Sequence, residues 1–429
     1  MIVEFSVENF RSIKDKVTLS AVASRGRAVK IDGEMRRPDD EITVPVPVLG
    51  RDFELLPVLA IYGANASGKS NVLLALNYLL RLTRMETGEH DREFQRLEPF
   101  AFDENTTGRP TRFELQVALE AGIYTYVLAL DQSRIYEESL SIAPAVPNRN
   151  VLHKLFNRRW DSATGEVAWE MNKRFYKADR QLYLQIKRNI GLGSTYLGKL
   201  IDLGLFPVSD FQGWLVRAAP NVVQGWGRND FEHFYAAFTS AQKPDVLSRN
   251  ATLISLFDTG IQSISVERDE SAVTPSVKIA SKHKTARGDF ELPFEAESTG
   301  TQRLLGVGHF LIQKLRDGGL ILIDELSSNI HPYIAREIVR FFQSSKINRH
   351  HAQLIFTSHD LTLWQNDLLR RDQFWLTEKD EEGATRLYPL SDYKIRNDLS
   401  LGKAYLDARF GAVPLLADED EFARLINEN

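Results

Sequence analysis

Cysteine is absent from this sequence of 429 residues, which excludes disulfide bonds and thiolate metal sites. Histidine is scarce, and its nine copies never stand at the spacing of metal ligands; the pair His350-His351 is typical of a polar loop. No apolar run reaches the roughly 18 residues of a membrane span, and the amino terminus lacks a signal-peptide pattern. These absences predict a cytoplasmic protein that does not contact a membrane.

Neither sign of charge is in large excess. The formal net charge of −5 provides no global attraction to nucleic acid, so any such contact would have to be local. With 43% hydrophobic and 26% charged residues, the composition is that of an ordinary globular protein. The length suggests two or three domains, or one large domain that carries an inserted lobe.

The most specific pattern that is present is the stretch Gly63–Ser70, which fits G-x-x-x-x-G-K-[ST] without a mismatch. Apolar residues precede it as a buried strand requires, and apolar residues at helical spacing follow it. A strand that turns sharply into a helix presents free backbone N–H groups and the positive end of the helix dipole to an anion. The pattern therefore predicts nucleotide binding, with Lys69 on the β- and γ-phosphates and Ser70 in a Mg²⁺ shell. The predicted binding residues of the loop are Gly63, Asn65, Ala66, Ser67, Gly68, Lys69, Ser70 and Asn71.

A second pattern is the apolar run Leu320–Ile323, which ends in Asp324 and Glu325. Such a run is typical of a strand that is buried on both faces. We expect it to end beside the phosphate loop, where Asp324 would hold Mg²⁺ and Glu325 would polarise the attacking water. Two carboxylates after an apolar run are a weak signal alone, but together with the phosphate loop they predict an ATPase.

Two shorter segments flank this pair. Upstream, Ser298 and Gly300 stand where a helix is predicted to begin, and a helix start of this kind receives anions. Downstream, the short apolar strand 353–357 leads to His359, which at the carboxyl end of a parallel sheet would reach the γ-phosphate. Each segment alone is also explained by a helix cap or by a histidine at a strand end, but their order and spacing favour the ATPase interpretation.

Together these segments resemble the ABC-type ATPase heads of the SMC, RecF and OLD lineage. The opening segment Phe5–Ile13 looks like the F-x-x-x-N-F-R-S start of those heads. The closer likeness is to the small prokaryotic AAA-type ATP-binding proteins of abortive-infection, PARIS, Septu and retron-associated defence, whose carboxyl-terminal pattern is similar to 372–414. The likeness covers residues 1–130 and 290–415 and is much weaker between them.

The resemblance implies an α/β fold, a P-loop NTPase of the ABC-ATPase type with a mixed sheet core, an antiparallel β subdomain and an inserted, largely helical lobe. Alternating apolar residues also predict a β-hairpin over 113–130. The expected division is 1–130 for the half of the core with the phosphate loop, 131–290 for a mainly helical insert, 291–415 for the other half, and 416–429 for an acidic tail.

The resemblance further implies a dimer of two heads that meet head to tail. Ser298 and Gly300 of one subunit would then cover the γ-phosphate that Lys69 of the other subunit holds. ATP would act as the link between the subunits, and hydrolysis would loosen the assembly. His359 would be the switch histidine on the γ-phosphate.

Three positions are assigned by analogy with the same heads or depart from them. Arg11 is expected to touch the nucleotide. Gln95 is a candidate for the glutamine of the Q-loop. Ser327 occupies a position that is usually acidic in the family, and this departure bears on the coupling between subunits rather than on ATP binding.

The segment 149–199 carries eleven Lys or Arg residues against four Asp or Glu residues, an excess of seven positive charges. Aromatic residues are interleaved with these charges, as in surfaces that bind nucleic acid or an acidic partner. The alternative is a solvated helical lobe whose aromatic residues form its own core. Neutralisation of Lys154, Arg158 and Arg159 would distinguish the two interpretations, because only a nucleic-acid surface would lose salt-sensitive binding.

The sequence thus predicts a cytoplasmic ATPase that uses ATP and Mg²⁺, assembles with itself as a dimer or higher oligomer, and regulates a separate effector, such as a nuclease or toxin, in anti-phage defence. One alternative is a DNA-maintenance ATPase of the RecF type that binds nucleic acid through 149–199. Another is an ATP-gated scaffold with little turnover. The preference for ATP over GTP comes from the family resemblance, because no base-specificity motif of the GTPase type is present.

Overall fold

The structure is a computed structural model, and it describes residues 1–24, 29–31, 34–36, 46–48, 53–84, 94–145, 152–172, 180–205, 208–218, 222–223, 244–257, 260–269, 276–365, 367–396, 399–414 and 419–427. The strands are β1 (Ile2–Glu8), β2 (Val17–Ser20), β3 (Val29–Ile31), β4 (Glu34–Arg36), β5 (Val46–Pro47), β6 (Glu54–Leu55), β7 (Val58–Gly63), β8 (Thr111–Leu119), β9 (Gly122–Leu130), β10 (Ile135–Pro144), β11 (His153–Asp161), β12 (Glu166–Met171), β13 (Val222–Val223), β14 (Ile261–Asp269), β15 (Ser276–Thr285), β16 (Gly288–Pro293), β17 (Leu320–Ile323), β18 (Gln353–Thr357), β19 (Phe374–Lys379) and β20 (Thr385–Pro389). The helices are α1 (Lys69–Leu82), α2 (Glu104–Thr107), α3 (Arg180–Asn189), α4 (Tyr196–Asp202), α5 (Ser209–Arg217), α6 (Pro244–Leu256), α7 (Thr299–Asp317), α8 (Pro332–Gln343), α9 (Leu401–Leu406) and α10 (Glu419–Asn427).

Seven antiparallel strands form one sheet, in the order β12-β11-β10-β9-β8-β1-β2. Buried and partly exposed side chains alternate along β8. Phe113, Leu115 and Val117 are buried in the core, while the residues between them are partly exposed. β8 pairs antiparallel with β9, so the hairpin that the sequence predicts over 113–130 is confirmed. This sheet is the antiparallel β subdomain.

A second sheet has six strands, in the order β13-β17-β18-β7-β19-β20, and all but β20 run parallel to their neighbours. β7, β17 and β18 are buried along their whole length, as expected of apolar strands that are covered on both faces. β7 lies between β18 and β19, which come from the far end of the sequence. The segments that follow these parallel strands therefore meet at one edge of the sheet.

Two hydrophobic cores cover the two faces of the parallel sheet. Side chains alternate along β7, so Leu59 and Ile61 pack on the side of α1 and the antiparallel sheet. Val58, Ala60 and Tyr62 face the opposite side, where they pack with α7, α8 and α9. The fold is thus α/β with a mixed sheet and an antiparallel β subdomain, and this part of the predicted fold class is confirmed.

The described part of 131–290 is not the mainly helical lobe that the sequence predicts. β10, β11 and β12 continue the antiparallel sheet, and β14, β15 and β16 form a separate three-stranded sheet. Helices α3 to α6 lie between these strands in the chain. The signal for β12 is a period of two, in which Val167, Trp169 and Met171 are less exposed than the residues between them. The charged and aromatic residues of this segment therefore lie on strands as well as on helices.

In the part of the chain that the structure describes, none of the helices is both long and apolar enough to cross a membrane.

Candidate nucleotide-binding site

The phosphate loop joins the buried strand β7 to helix α1. The strand ends at Gly63 and the helix begins at Lys69, with Gly68 as its N-cap at a φ of 106°. A Cβ atom on Gly68 would lie 2.1 Å from Thr385 Oγ1, and the left-handed backbone also disfavours a side chain there. The glycine therefore permits the tight turn into α1, whose first N–H groups and dipole are free to receive an anion.

Hydroxyl groups hold the loop against neighbouring elements. Ser67 Oγ lies 2.6 Å from Thr377 Oγ1, and Thr385 Oγ1 donates to the Ser67 carbonyl at 2.9 Å. Thr385 Oγ1 also lies 2.8 Å from Ser12 Oγ, which accepts a hydrogen bond from Asn71 Nδ2 at 2.6 Å. The β19–β20 pair and the segment after β1 therefore fix the loop together with the first turn of α1.

The side chain of Lys69 is 6% exposed and folds over its own loop. Its Nζ donates to the carbonyls of Gly63 at 3.0 Å and Ala64 at 2.8 Å. Burial lowers the pKa of Lys69 to about 8, while the nearby carboxylates of Asp324 and Glu325 act in the opposite direction. The amine therefore lies within electrostatic range of both carboxylates of the second motif.

Asp324 directly follows β17 and contacts the phosphate loop. Ser70 Oγ donates to Asp324 Oδ1 at 3.0 Å, although the two residues are 254 positions apart in the sequence. Thr357, at the end of β18, donates to the same oxygen at 2.6 Å. This donor set fits Mg²⁺, which takes oxygen ligands and usually binds through one or two carboxylates together with substrate phosphates. Ser70 and Asp324 are the residues that would hold the ion.

Glu325 combines an exposed side chain with a constrained backbone. Its φ of 54° lies in the left-handed region, which costs roughly 1–2 kcal/mol for a residue that has a Cβ atom. Its N–H donates to Thr357 Oγ1 at 2.8 Å, and its carbonyl accepts from Arg303 Nη2 at 2.6 Å. Arg303 is 1% exposed and donates to the Asp324 carbonyl as well, at 3.0 Å. These bonds fix the backbone from which the Glu325 carboxylate projects.

The start of helix α7 lies against the loop that follows Glu325. Ser298 is the N-cap of this helix, and its side chain accepts from the N–H of Thr301 at 3.1 Å. A Cβ atom on Gly300 would lie 2.3 Å from the Asn329 carbonyl oxygen, so only glycine permits this close approach. Ser298 itself is exposed, which leaves this helix N-terminus open to an anion from outside the subunit.

His359 follows β18 and lies among the same charged groups. Burial lowers its pKa and the Lys69 cation lowers it further, whereas Glu325 and Asp324 raise it. Coupling to all three groups places the imidazole in the same site. The residue is solvent-exposed, and its contact with the γ-phosphate stays a prediction.

Two residues are assigned to the site by analogy alone. Arg11 Nε forms an ion pair with Glu98 at 3.1 Å, and its role on the nucleotide stays a prediction. The next residue, Ser12, is the one that bonds to Asn71 in the first turn of α1. Gln95 is exposed, and its identification as the Q-loop glutamine also stays a prediction.

The remaining predicted positions lie on loops. Asn65 and Ala66 form the exposed tip of the phosphate loop, with Ala66 at a φ of 61°. Ser327 contacts Ser358, through hydroxyl oxygens 3.1 Å apart, next to the predicted switch histidine. Its part in coupling between subunits stays a prediction.

The three basic residues that the sequence suggests as nucleic-acid contacts in 149–199 are paired within the protein. Arg158 is 3% exposed, and its Nε lies 2.8 Å from Oε2 of the buried Glu138. Lys154 and Arg159 each form an ion pair with a glutamate of a neighbouring strand. Neutralisation of Arg158 would also leave a buried carboxylate without its partner and disturb the fold, so the role of 149–199 in binding nucleic acid stays a prediction.

A cavity of about 480 Å³ lies at the opposite end of the parallel sheet. Its lining includes Trp214, Arg217 and His350 together with Gly319, which immediately precedes β17. Since the phosphate loop lies at the carboxyl ends of the parallel strands, this cavity is separate from the nucleotide site.

Comparisons with known proteins agree with this geometry. The family described as "AAA domain, putative AbiEii toxin, Type IV TA system" matches residues 58–364. A search among curated proteins finds no match. The ends of β7 and β17 carry the phosphate loop and its acidic partner, so the fold is that of a P-loop NTPase, as the sequence predicts.

Solved structures of SMC heads are similar to the chain. One is an SMC head bound to the C-winged helix domain of ScpA, with 14% identity over 94% of this chain and 99% of that chain and a TM-score of 0.43. Another is the SMC head domain from Thermotoga maritima, with 14% identity, 90% and 98% coverage and a TM-score of 0.41. A third is the head domain with an extended coiled coil bound to the C-terminal domain of ScpA from Pyrococcus furiosus, with 11% identity, 95% and 98% coverage and a TM-score of 0.39.

Proposed function

The chain belongs to this family of AAA-domain proteins, and we propose that it is an ATPase that closes into a head-to-tail dimer around ATP and thereby regulates a separate effector. The observation that carries the proposal is the 3.0 Å bond from Ser70 to Asp324, which unites two distant motifs in one site. The amine of Lys69 and the imidazole of His359 lie within electrostatic range of the same acidic pair. Few arrangements other than nucleotide hydrolysis use this set of groups together.

Each residue has a distinct task in the proposed reaction. Lys69 exchanges its bonds to the loop carbonyls for bonds to the β- and γ-phosphates. Mg²⁺, held by Ser70 and Asp324, would neutralise charge that develops on the phosphates. Glu325 accepts the proton of the attacking water, and its carboxylate is exposed on a fixed backbone that suits this task. His359 donates a hydrogen bond to the γ-phosphate.

The dimer follows from the exposure of the helix N-terminus at Ser298. This residue starts α7 but stays open to the outside, where it suits the γ-phosphate of a second copy. Gly300 packs against the loop after Glu325, so the surface that would meet the partner is joined to the catalytic loop of its own subunit. ATP binding then assembles the protein, and hydrolysis releases it.

The effector and the biological setting are inferred from the family. Its description names a toxin and a type IV toxin–antitoxin system, which supports a role in anti-phage defence. We propose that the effector is a nuclease or toxin. The ATP-bound dimer would hold this effector in either its active or its inactive state, and loss of the dimer would change that state. Purification of the protein alone and with the product of its neighbouring gene, followed by assays of effector activity with and without ATP, tests this. No ATP-dependent change in assembly or in effector activity would contradict the proposal.

The dimer predicts a specific effect of Ser298→Arg. A bulky cation at the start of α7 blocks the approach of the partner's nucleotide, so we expect ATP-dependent dimers to become at least about tenfold weaker. Binding of ATP to each single subunit should stay unchanged, because Ser298 acts on the other subunit. Mass photometry gives the dimer fraction and calorimetry gives the affinity for ATP. The matched control is Ser345→Arg, an equally exposed serine outside the site.

A mixing experiment separates head-to-tail closure from other dimers. A mixture of the Ser298→Arg and Lys69→Met variants contains, in each mixed dimer, one composite site with an intact Lys69 and an intact Ser298. We expect the mixture to regain hydrolysis that neither variant shows alone. Absence of this recovery, with wild-type dimers present under the same conditions, would contradict the proposed arrangement.

The lowered pKa of Lys69 predicts a pH dependence of ATP binding. The free protein loses the Lys69 proton as the pH rises through about 8, and the neutral amine attracts phosphate weakly. ATP affinity should therefore fall above pH 8, by at most about tenfold per pH unit for one proton. The lysine of the unfolded chain holds its proton to higher pH, so this group makes the free protein more stable as the pH rises above 8.

Calorimetry of ATP binding between pH 7 and 9.5 measures this effect. Two buffers with different ionisation enthalpies should report that ATP binding takes up a proton near pH 8.5. An affinity that stays flat over this range would contradict the lowered pKa of Lys69 in the free protein.

A further inference from the structure

A cavity of about 420 Å³ with one aromatic wall is lined by Lys14, Phe102, Asp103, Glu104, Asn105 and Glu382. Phe102 forms this wall and is 76% exposed, although it lies only 5.6 Å from the buried ring of Phe100. The ring covers Gly383, where a Cβ atom would lie 3.0 Å from Phe102 Cδ2. Phe102 is the one apolar residue of the lining, and the other lining residues are polar or charged.

Polar side chains give the cavity a defined shape. Lys14 Nζ bridges two carboxylates, Asp103 at 2.9 Å and Glu382 at 2.6 Å. Asp103 also caps helix α2 by accepting from the N–H of Asn105 at 2.9 Å. The walls beside the aromatic ring are therefore tied together before any ligand arrives.

Covalent continuity places this cavity next to the loop. Ser12 and Thr385 both contact the phosphate loop or the first turn of α1, and they bond to each other through backbone and side chain. Lys14 follows Ser12 by two residues and Gly383 precedes Thr385 by two residues, which is a distance of about 7 Å along extended chain. The cavity thus continues the nucleotide site.

The expected direction of a bound nucleotide also places its base on the side of this cavity. In a phosphate loop the lysine reaches the β- and γ-phosphates, and the N–H groups at the start of the helix hold the α- and β-phosphates. The sugar and base must therefore leave the loop near Asn71, whose side chain binds Ser12. That side of the loop leads to Lys14 and Phe102.

We propose that the base of the bound nucleotide stacks on the ring of Phe102, with the ribose against the polar wall formed by Lys14 and Asp103. The proposal rests on the proposed function, since it assigns the part of ATP that the phosphate loop does not hold. Every base presents a π face, so stacking provides affinity for a nucleoside over a bare phosphate chain. The Glu104 carboxylate is exposed at the rim, where it can accept a hydrogen bond that the exocyclic amine of adenine donates.

The test compares ATP with inorganic tripolyphosphate, which lacks the base and the sugar. Phe102→Ala should weaken ATP binding roughly 5- to 100-fold, the usual range for loss of one base–aromatic stack, and leave tripolyphosphate binding unchanged. Phe102→Tyr should retain the affinity for ATP. The control is Phe290→Ala, because Phe290 is another exposed phenylalanine at 51% exposure and lies on β16.

The outcomes separate this inference from the proposed function. ATP affinity within twofold of wild type in Phe102→Ala would overturn the stacking, and so would an equal loss for ATP and tripolyphosphate, which would mark the ring as a support of the loop. A wild-type protein that binds ATP no better than tripolyphosphate would also overturn it. A wild-type protein that binds neither would instead overturn the proposed function on which the inference rests.

Discussion

Replacement of Glu325 by glutamine is expected to lower ATP hydrolysis by about two to three orders of magnitude while ATP binding stays nearly unchanged. Glutamine has the same shape but cannot accept the proton of the attacking water. The backbone of Glu325 is held by Thr357 and Arg303, through groups that the substitution leaves in place. The variant therefore removes the general base without moving the loop.

The same variant should accumulate as an ATP-bound dimer, because hydrolysis is the step that releases the two subunits. Mass photometry with ATP should show more dimer for Glu325→Gln than for wild type, and a phosphate-release assay gives the rate. Glu166→Gln, a change at an exposed glutamate on the far edge of the antiparallel sheet, is the matched control. Negligible hydrolysis in both wild type and Glu325→Gln would favour the ATP-gated scaffold over the ATPase. Measurable hydrolysis that the substitution leaves unchanged would mean that Glu325 is not the general base.

The local part of this site is predictable from sequence because it depends on covalent neighbours. A loop between an apolar strand and an amphipathic helix must present its N–H groups at the helix start, wherever the rest of the chain lies. The contact of Ser70 with Asp324 was also expected, since apolar strands of one parallel sheet end at the same edge. In both cases the sequence pattern is enough to predict which groups lie close together.

Other parts of the site depend on tertiary contacts that leave a weak trace in the sequence. Thr357 and Thr385 read as ordinary strand residues, yet they bond to Asp324 and to the phosphate loop. Arg303 reads as a charged residue within a helix and is buried instead, because its partners are backbone carbonyls that no sequence pattern marks. The same holds for Arg158, which looks like a surface cation in the sequence but meets a buried glutamate from a neighbouring strand.

Arg303 is the residue for which the structure predicts the second large effect. It lies five positions after Ser298 on α7 and donates to the carbonyls of both Asp324 and Glu325. Arg303→Met leaves these partly buried carbonyls without this donor, which should cost about 1–3 kcal/mol of folding stability. The strained backbone of Glu325 should then relax and move its carboxylate, and a shift of about 1 Å is enough to lower hydrolysis roughly a hundredfold.

The loss should appear in kcat, because Lys69 and the phosphate loop bind ATP through other groups, and KM for ATP should stay near the wild-type value. Thermal unfolding measures the change in stability. The matched control is Arg316→Met on the same helix, where the arginine is exposed and pairs with its neighbour Asp317. Arg303→Lys should recover only part of the activity, because one ammonium lacks the planar fork that reaches two carbonyls.

A double-mutant cycle distinguishes a positioning role of Arg303 from general destabilisation. If Arg303 acts on hydrolysis through Glu325, its removal should cost almost nothing further in the Glu325→Gln background, because the general base is already lost. If the two residues act independently, the fold-losses in kcat of the two single variants would multiply in the double variant. A multiplicative loss, or a fall in ATP affinity that matches the fall in kcat, would contradict the positioning role. If Arg303→Met lowers kcat in the wild-type background but not in the Glu325→Gln background, Arg303 acts through Glu325. Helix α7, which is proposed to meet the partner's nucleotide, would then be linked to the catalytic carboxylate of its own subunit.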